Sequence, residues 1–157
     1  MRAAVLDIGG TSIKSGLWNG QQLTEVKERD TQAKTGACHV VSQAVEILKS
    51  YLPFDSVGIS TAGQVNSEEG CIRYANDNIP GYTGTRLKDI MVSEFGVPTA
   101  VENDVNAAAL GEAMWGAGRS HDDFLCLTYG TGVGGAIIIR KKIYSGSMFS
   151  AGEFGGI

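Results

Sequence analysis

Apolar and polar positions change their spacing several times along the chain, and each change marks an element. Ala3-Ala4-Val5-Leu6 is continuously apolar, the pattern of a short strand buried on both faces. Residues 12–18 alternate as a half-buried strand does, and Asn19-Gly20 is a strong hairpin turn into a third strand over residues 22–28. Over residues 35–52 the period becomes helical: Val41, Ala44, Val45, Leu48 and Leu52 recur at helical spacing, Thr35 can start the helix and Pro53 ends it. A buried strand over residues 54–60 runs into Ser60-Thr61-Ala62-Gly63. Residues 64–82 are polar and irregular apart from a short strand at Cys71-Ile72-Arg73-Tyr74, and a loop this long usually carries function.

A helix follows over residues 85–95, with Leu87, Ile90, Met91 and Phe95 on one face, Gly96 past its end and Pro98 beyond. Residues 98–101 form a short strand, and Glu102-Asn103-Asp104-Val105-Asn106 opens an alanine-rich helix running to about Trp115. Gly116-Ala117-Gly118-Arg119-Ser120 is the best boundary. Beyond it come a strand over 124–128, the glycine turn 130–135, a strand over 136–139 and a hairpin at Lys141-Lys142. The order is βββ-α-β-α-β-α over residues 1–120, and residues 121–157 restart with strand, glycine turn and strand. This repeats architecture, not sequence.

Composition narrows the classes. The 157 residues are enough for one ordinary domain with a sizeable core, and 43% hydrophobic with 19% charged residues is globular composition. The 22 glycines are too many for a helical bundle, and with only 3 prolines beside them disorder is not the explanation. A net charge of −4 without a basic cluster argues against nucleic acid as a partner. No secretory pattern and no apolar run of membrane-spanning length are present, so no membrane partner and a cytoplasmic location are expected. Cys38, Cys71 and Cys126 are unpatterned and read as reduced, buried thiols; His39 reads as a solvated or capping residue.

Four stretches carry candidate chemistry. Asp7-Ile8-Gly9-Gly10-Thr11-Ser12 places an acid, two glycines and hydroxyls between two strands. Glycine lets phosphate approach backbone N–H groups closely, and an anion such as Asp7 makes sense beside phosphate only with Mg²⁺ between them. A plain hairpin turn explains the same residues equally well. Lys14 either touches phosphate or faces solvent. Residues 130–135 satisfy G-x-G-x-x-G, but a β-branched strand follows where a dinucleotide site needs a helix, so the run suits a second phosphate turn better. Asn103-Asp104, at a strand-to-helix junction, reads as an N-cap, as a carboxylate that accepts a substrate proton, or as both. Glu153, between Gly152 and Gly155, can accept paired hydroxyls; Asn78 and Gly63 are weaker candidates.

Together these residues resemble the ROK family of sugar kinases (repressors, open reading frames and kinases), within the actin-like ATPase superfamily. Asp7-Ile8-Gly9-Gly10-Thr11 looks like the family's first phosphate loop, Glu102 through Glu112 its catalytic segment, Thr131-Gly132-Val133-Gly134-Gly135 its second phosphate loop, and Ala151-Gly152-Glu153-Phe154-Gly155 its sugar signature. The resemblance implies an α/β fold: an actin-like ATPase (ribonuclease H-like) lobe with a central mixed sheet flanked by helices over 1–120, and the first strands of a second, truncated lobe over 121–157. It implies ATP and Mg²⁺ as cofactors and phosphoryl transfer to a sugar hydroxyl, usually the 6-OH, with Asp104 as general base. Gly63, Asn78, Asn103, Asp104 and Glu153 would hold sugar. Gly9, Gly10, Thr11, Ser12, Lys14, Thr131 and Gly132 would face phosphates, and Asp7 would orient Mg²⁺ through water. A homodimer is implied for the intact protein.

Two departures qualify the resemblance. Gly156 stands where the family commonly has a zinc-binding histidine, so no zinc site is expected. The chain also stops as the second lobe begins, so it reads as part of a kinase, poorly active alone and with an unpaired sheet edge. The alternative is a non-catalytic sugar-sensing regulator of the same family. Such regulators carry a helix-turn-helix ahead of the first loop, where only six residues precede Asp7, and Asp104 favours chemistry. A chaperone-like or acetate-kinase-like ATPase would share the first loop but not Asn103-Asp104 with Glu153.

Overall fold

The computed structural model describes residues 1–130 and 132–156. They form two compact units, Met1–Glu102 and Asn103–Ile157, and each is described by itself.

The first unit is built on a five-stranded mixed sheet in the order β3-β2-β1-β4-β7. Its strands are β1 (Ala3–Ile8), β2 (Ser12–Trp18), β3 (Leu23–Asp30), β4 (Ser56–Thr61) and β7 (Thr99–Asn103), the last running on into the second unit. β1 pairs antiparallel with β2 and parallel with β4, so the two middle strands β1 and β4 run the same way. β1 alternates between buried and half-buried positions instead of being buried on both faces: Ala4, Leu6 and Ile8 face the core, while Asp7 lies on the other face. That alternation keeps Asp7 out of the core.

Helix α1 (Ala37–Lys49) covers the core face through Val40, Ala44, Ile47 and Leu48, spaced to form one apolar stripe. Truncating one of these to alanine, as in Leu48→Ala, is of the class that costs about 2–5 kcal/mol. Thr35 does not start this helix. Gly36 occupies the N-cap, and Thr35 ends a preceding 3₁₀ turn. The N–H of Ala37, an orphan of the first turn, instead donates to the carbonyl of Pro80 at 2.9 Å. Helix α2 (Leu87–Phe95) buries Leu87 and Met91 and ends on Gly96, whose φ of 67° is the left-handed conformation glycine adopts freely. Between them, β5 (Gln64–Asn66) and β6 (Cys71–Tyr74) make a small hairpin. Asn66 closes its turn by accepting from the N–H groups of Glu68 and Glu69, each at 3.1 Å.

In the second unit, α3 (Asp104–Met114) covers one face of a sheet of β8 (Phe124–Tyr129), β9 (Val133–Ile139) and β10 (Lys142–Ile143). Ala109 on the helix and Ala136 and Ile138 on β9 form its buried centre. Leu125, Leu127, Tyr129 and Val133 are exposed. The cysteines depart from expectation: all are free thiols, but Cys38 is exposed and Cys71 and Cys126 are only half-buried. Among the described residues, no helix is long and apolar enough to cross a membrane.

Candidate active site

The first unit assembles its candidates at the end of β1. The turn from β1 to β2 is tight, with the Gly9 N–H donating to the Ser12 carbonyl at 3.0 Å, and a Cβ at Gly9 would lie 3.2 Å from that oxygen. Gly10 and Thr11 at the tip are exposed. Among the described residues, no carbonyl accepts from the N–H of Gly10 or Thr11. Two such donors on an exposed turn suit phosphate oxygens.

Asp7 stands one turn of the pleat behind the tip. Its Oδ1 accepts from the hydroxyl of Ser60 at 2.9 Å, and Ser60 is its register partner on β4. Oδ2 has no described partner and remains available to a hydrated cation. Lys14 is opposite Asp7 on β2 and Glu28 opposite Lys14 on β3, and the Lys14 side chain is exposed. Ser12 donates its hydroxyl to Glu28 at 2.6 Å, so that hydroxyl is already engaged.

The long loop comes to the same place. Ile79 and Tyr82 are buried and anchor it, and the Tyr82 hydroxyl meets that of Thr61 at 2.9 Å. Burial pushes the Tyr82 phenol up to about 12, against a smaller opposing effect of the Thr61 hydrogen bond. Lys34 donates to the Asp77 carbonyl at 3.1 Å. Asn78, exposed between these anchors, is so near the glycine tip that a Cβ at Gly10 would lie 3.9 Å from its own Cβ. Gly63, at the end of β4, has a φ of 99°, and a Cβ there would be 2.8 Å from the Tyr74 carbonyl oxygen. Backbone approach to the β5–β6 hairpin therefore explains the glycine by itself.

In the second unit the N-cap question is resolved. Asn103 is the cap: its Oδ1 accepts from the N–H of Val105 at 2.9 Å and of Asn106 at 3.1 Å. Asp104 is the first helical residue, exposed, and its Oδ1 accepts from Asn103 Nδ2 at 3.0 Å and from the Val105 N–H at 2.9 Å.

The glycine run 130–135 divides into two. At the tip, the Gly130 N–H donates to the Gly132 carbonyl at 3.0 Å; Thr131 lies outside the described residues. β9, however, begins at Val133, so Gly134 and Gly135 are strand and not turn. They are small because of what crosses them. A Cβ at Gly134 would be 2.6 Å from a methyl of Val105 on α3, and one at Gly135 would overlap the Phe154 ring and lie 2.7 Å from the Gly152 carbonyl oxygen. This bare stretch of strand seats both the start of α3 and the segment carrying Glu153. The two carboxylates are consequently neighbours: partial desolvation raises the Glu153 carboxyl above its ordinary value, and the charge of Asp104 raises it further.

The family model described as ROK family matches residues 3–157. The chain belongs to the ROK family. A β-glucoside kinase of Listeria monocytogenes is 36% identical over 99% of this chain and 52% of its own length. A glucokinase of Streptomyces coelicolor is 37% identical over 97% of this chain and 48% of its own. The ROK family glucokinase from Streptomyces griseus, solved in complex with glucose and AMPPNP, matches with a TM-score of 0.86 at 34% identity, over 99% of this chain and 50% of that one. The mixed α/β fold expected of an actin-like ROK lobe is the fold found. The chain spans about half the length of the curated ROK relatives it matches.

Sequence reading named Ser60 and Thr61 only as the end of a strand and gave neither them nor Tyr82 a role; strand register places Ser60 beside Asp7, and burial of the loop places Tyr82 against Thr61.

Proposed function

We propose that the intact protein is an ATP-dependent sugar kinase, transferring the γ-phosphoryl group to a hydroxyl, the 6-OH, of a hexose or glycoside. One observation carries the reading: Gly134 and Gly135 seat on one stretch of β9 both the start of α3, which bears the exposed Asp104, and the segment that bears Glu153. Two exposed acids on neighbouring segments suit a base beside a sugar-hydroxyl acceptor. The kinases and the AMPPNP complex among the relatives support the same reading.

In this mechanism Asp104 takes the proton of the attacking hydroxyl. Asn103, Glu153, Asn78 and Gly63 hold the sugar and fix which hydroxyl faces the base. The N–H groups of Gly10 and Thr11, in the Gly9–Ser12 turn, with Lys14, receive phosphate oxygens, as do Thr131 and Gly132. Asp7, steadied by Ser60, would hold Mg²⁺ through water, and the ion would there offset phosphate charge; the rest is positioning for in-line attack. A lobe division near residue 120 belongs to the same proposal: β8, β9 and β10 form a separate sheet, although α3 packs on that sheet and the compact units divide earlier, after Glu102.

The test is ADP release by the intact protein, coupled to an indicator reaction, over a panel of hexoses and β-glucosides. Turnover that requires one of these sugars is expected. Sugar binding without turnover would instead favour the sensing regulator.

A further inference from the structure

We propose that Thr31, backed by Gln43, is a positioning residue for the first glycine turn, holding it so that the Gly10 N–H faces phosphate. The inference rests on the reading of that turn as a phosphate clamp. Thr31 follows β3 and is fully buried. It grips the turn twice. Its hydroxyl donates to the Gly9 carbonyl at 2.7 Å, and its backbone N–H donates to the Thr11 carbonyl at 3.0 Å.

The first contact sets a direction. The Gly9 carbonyl and the Gly10 N–H belong to one peptide plane, and in a trans peptide they point opposite ways. Drawing the carbonyl inward to Thr31 therefore turns the Gly10 N–H outward, where no described carbonyl competes for it. Without that hydroxyl the turn keeps its backbone bonds from the Gly9 and Thr31 N–H groups but loses the contact that draws the Gly9 carbonyl inward.

Thr31 is itself held from behind. Gln43, buried on α1, donates its amide to the Thr31 carbonyl at 3.0 Å. The same Nε2 meets His39 Nε2 at 2.8 Å, and that ring nitrogen is 2.9 Å from Gln32 Oε1. The glycine turn is thus tied through side chains to the first helix, while neither Thr31 nor Gln43 is exposed enough to meet a ligand. A role confined to folding would weaken every ligand alike. A positioning role weakens the nucleotide and spares the sugar.

Calorimetry on the intact protein separates these, with Mg²⁺ and AMPPNP as the nucleotide probe and the sugar of best turnover as the second ligand. Thr31→Val keeps the shape and removes the hydroxyl; about a tenfold loss of AMPPNP affinity is expected, the scale of one hydrogen bond, with sugar affinity unchanged. Thr31→Ser, which retains the donor, is expected to restore binding. Should Thr31→Val fail to fold, Gln43→Met carries the test by the same criterion, with a smaller loss. Unchanged AMPPNP affinity in the folded variant, or an equal loss of both ligands, overturns the inference. Gly10→Val serves as the control on the clamp: if it binds AMPPNP as the unaltered protein does, the clamp reading falls. If it fails to bind while Thr31→Val binds normally, only the role of Thr31 falls.

Discussion

Gly152 crosses directly over Gly135: with a φ of 92°, it sits so close that a Cβ there would lie 2.6 Å from the Gly135 carbonyl oxygen. Two strictly backbone positions in contact leave no room for adjustment. Gly152→Ala is therefore expected to destabilise the protein by about 1–3 kcal/mol, from the left-handed backbone and the overlap together. Thermal unfolding checks this. Gly132→Ala, at the turn tip where a Cβ meets nothing within 4 Å, is expected to leave the midpoint nearly unchanged.

The Glu153 carboxyl, raised by desolvation and by Asp104, makes stability depend on pH. Its folded value exceeds its unfolded one, so the folded state holds the proton more tightly. The associated stabilisation is present at acid pH, below the unfolded value, and is lost as pH climbs through the raised folded value. Glu153→Gln is expected to flatten that fall, and Asp104→Asn to shrink it. Unfolding midpoints at a series of pH values for the three proteins measure both.

Asn103 and Asp104 are adjacent but do different work, and stability assays distinguish them. Asn103→Ala removes the cap of α3 and is expected to cost about 1 kcal/mol. Asp104→Asn keeps the Oδ1 acceptor toward Val105 and is expected to stay within about 0.5 kcal/mol of the unaltered protein. Chemical denaturation midpoints report the difference.

Ser60 holds Asp7 at 2.9 Å. In Ser60→Ala the carboxylate loses that restraint, and the Mg²⁺ concentration for half-maximal turnover by the intact protein is expected to rise about fivefold, the scale of one hydrogen bond. Titrating Mg²⁺ at saturating ATP and sugar measures the shift.

These features differ in how far the chain alone reveals them. β2, α1 and α2 are legible because their apolar positions keep one period for long enough to be counted. β5 is three residues long with polar ends, so nothing periodic announces it. Gly134 and Gly135 look like turn residues, since sequence cannot say that Val105 and Phe154 occupy the space beside them. Ser60 becomes a partner of Asp7 only through parallel pairing of strands 53 positions apart. Thr31, alone after a charged strand, carries no motif. The glycines, Asp104 and Glu153 were visible as ordered stretches of sequence, whereas the residues that steady them were visible only in the fold.

The transfer of a proton to residue 104 is the step on which the kinase reading stands. Calorimetric sugar binding and sugar-dependent ADP release, measured side by side on the intact protein and its Asp104→Asn variant, address it most directly. The account predicts sugar affinity retained and turnover reduced about 10²- to 10⁴-fold, the contribution of a positioned base. Turnover by the variant equal to that of the unaltered protein would contradict it.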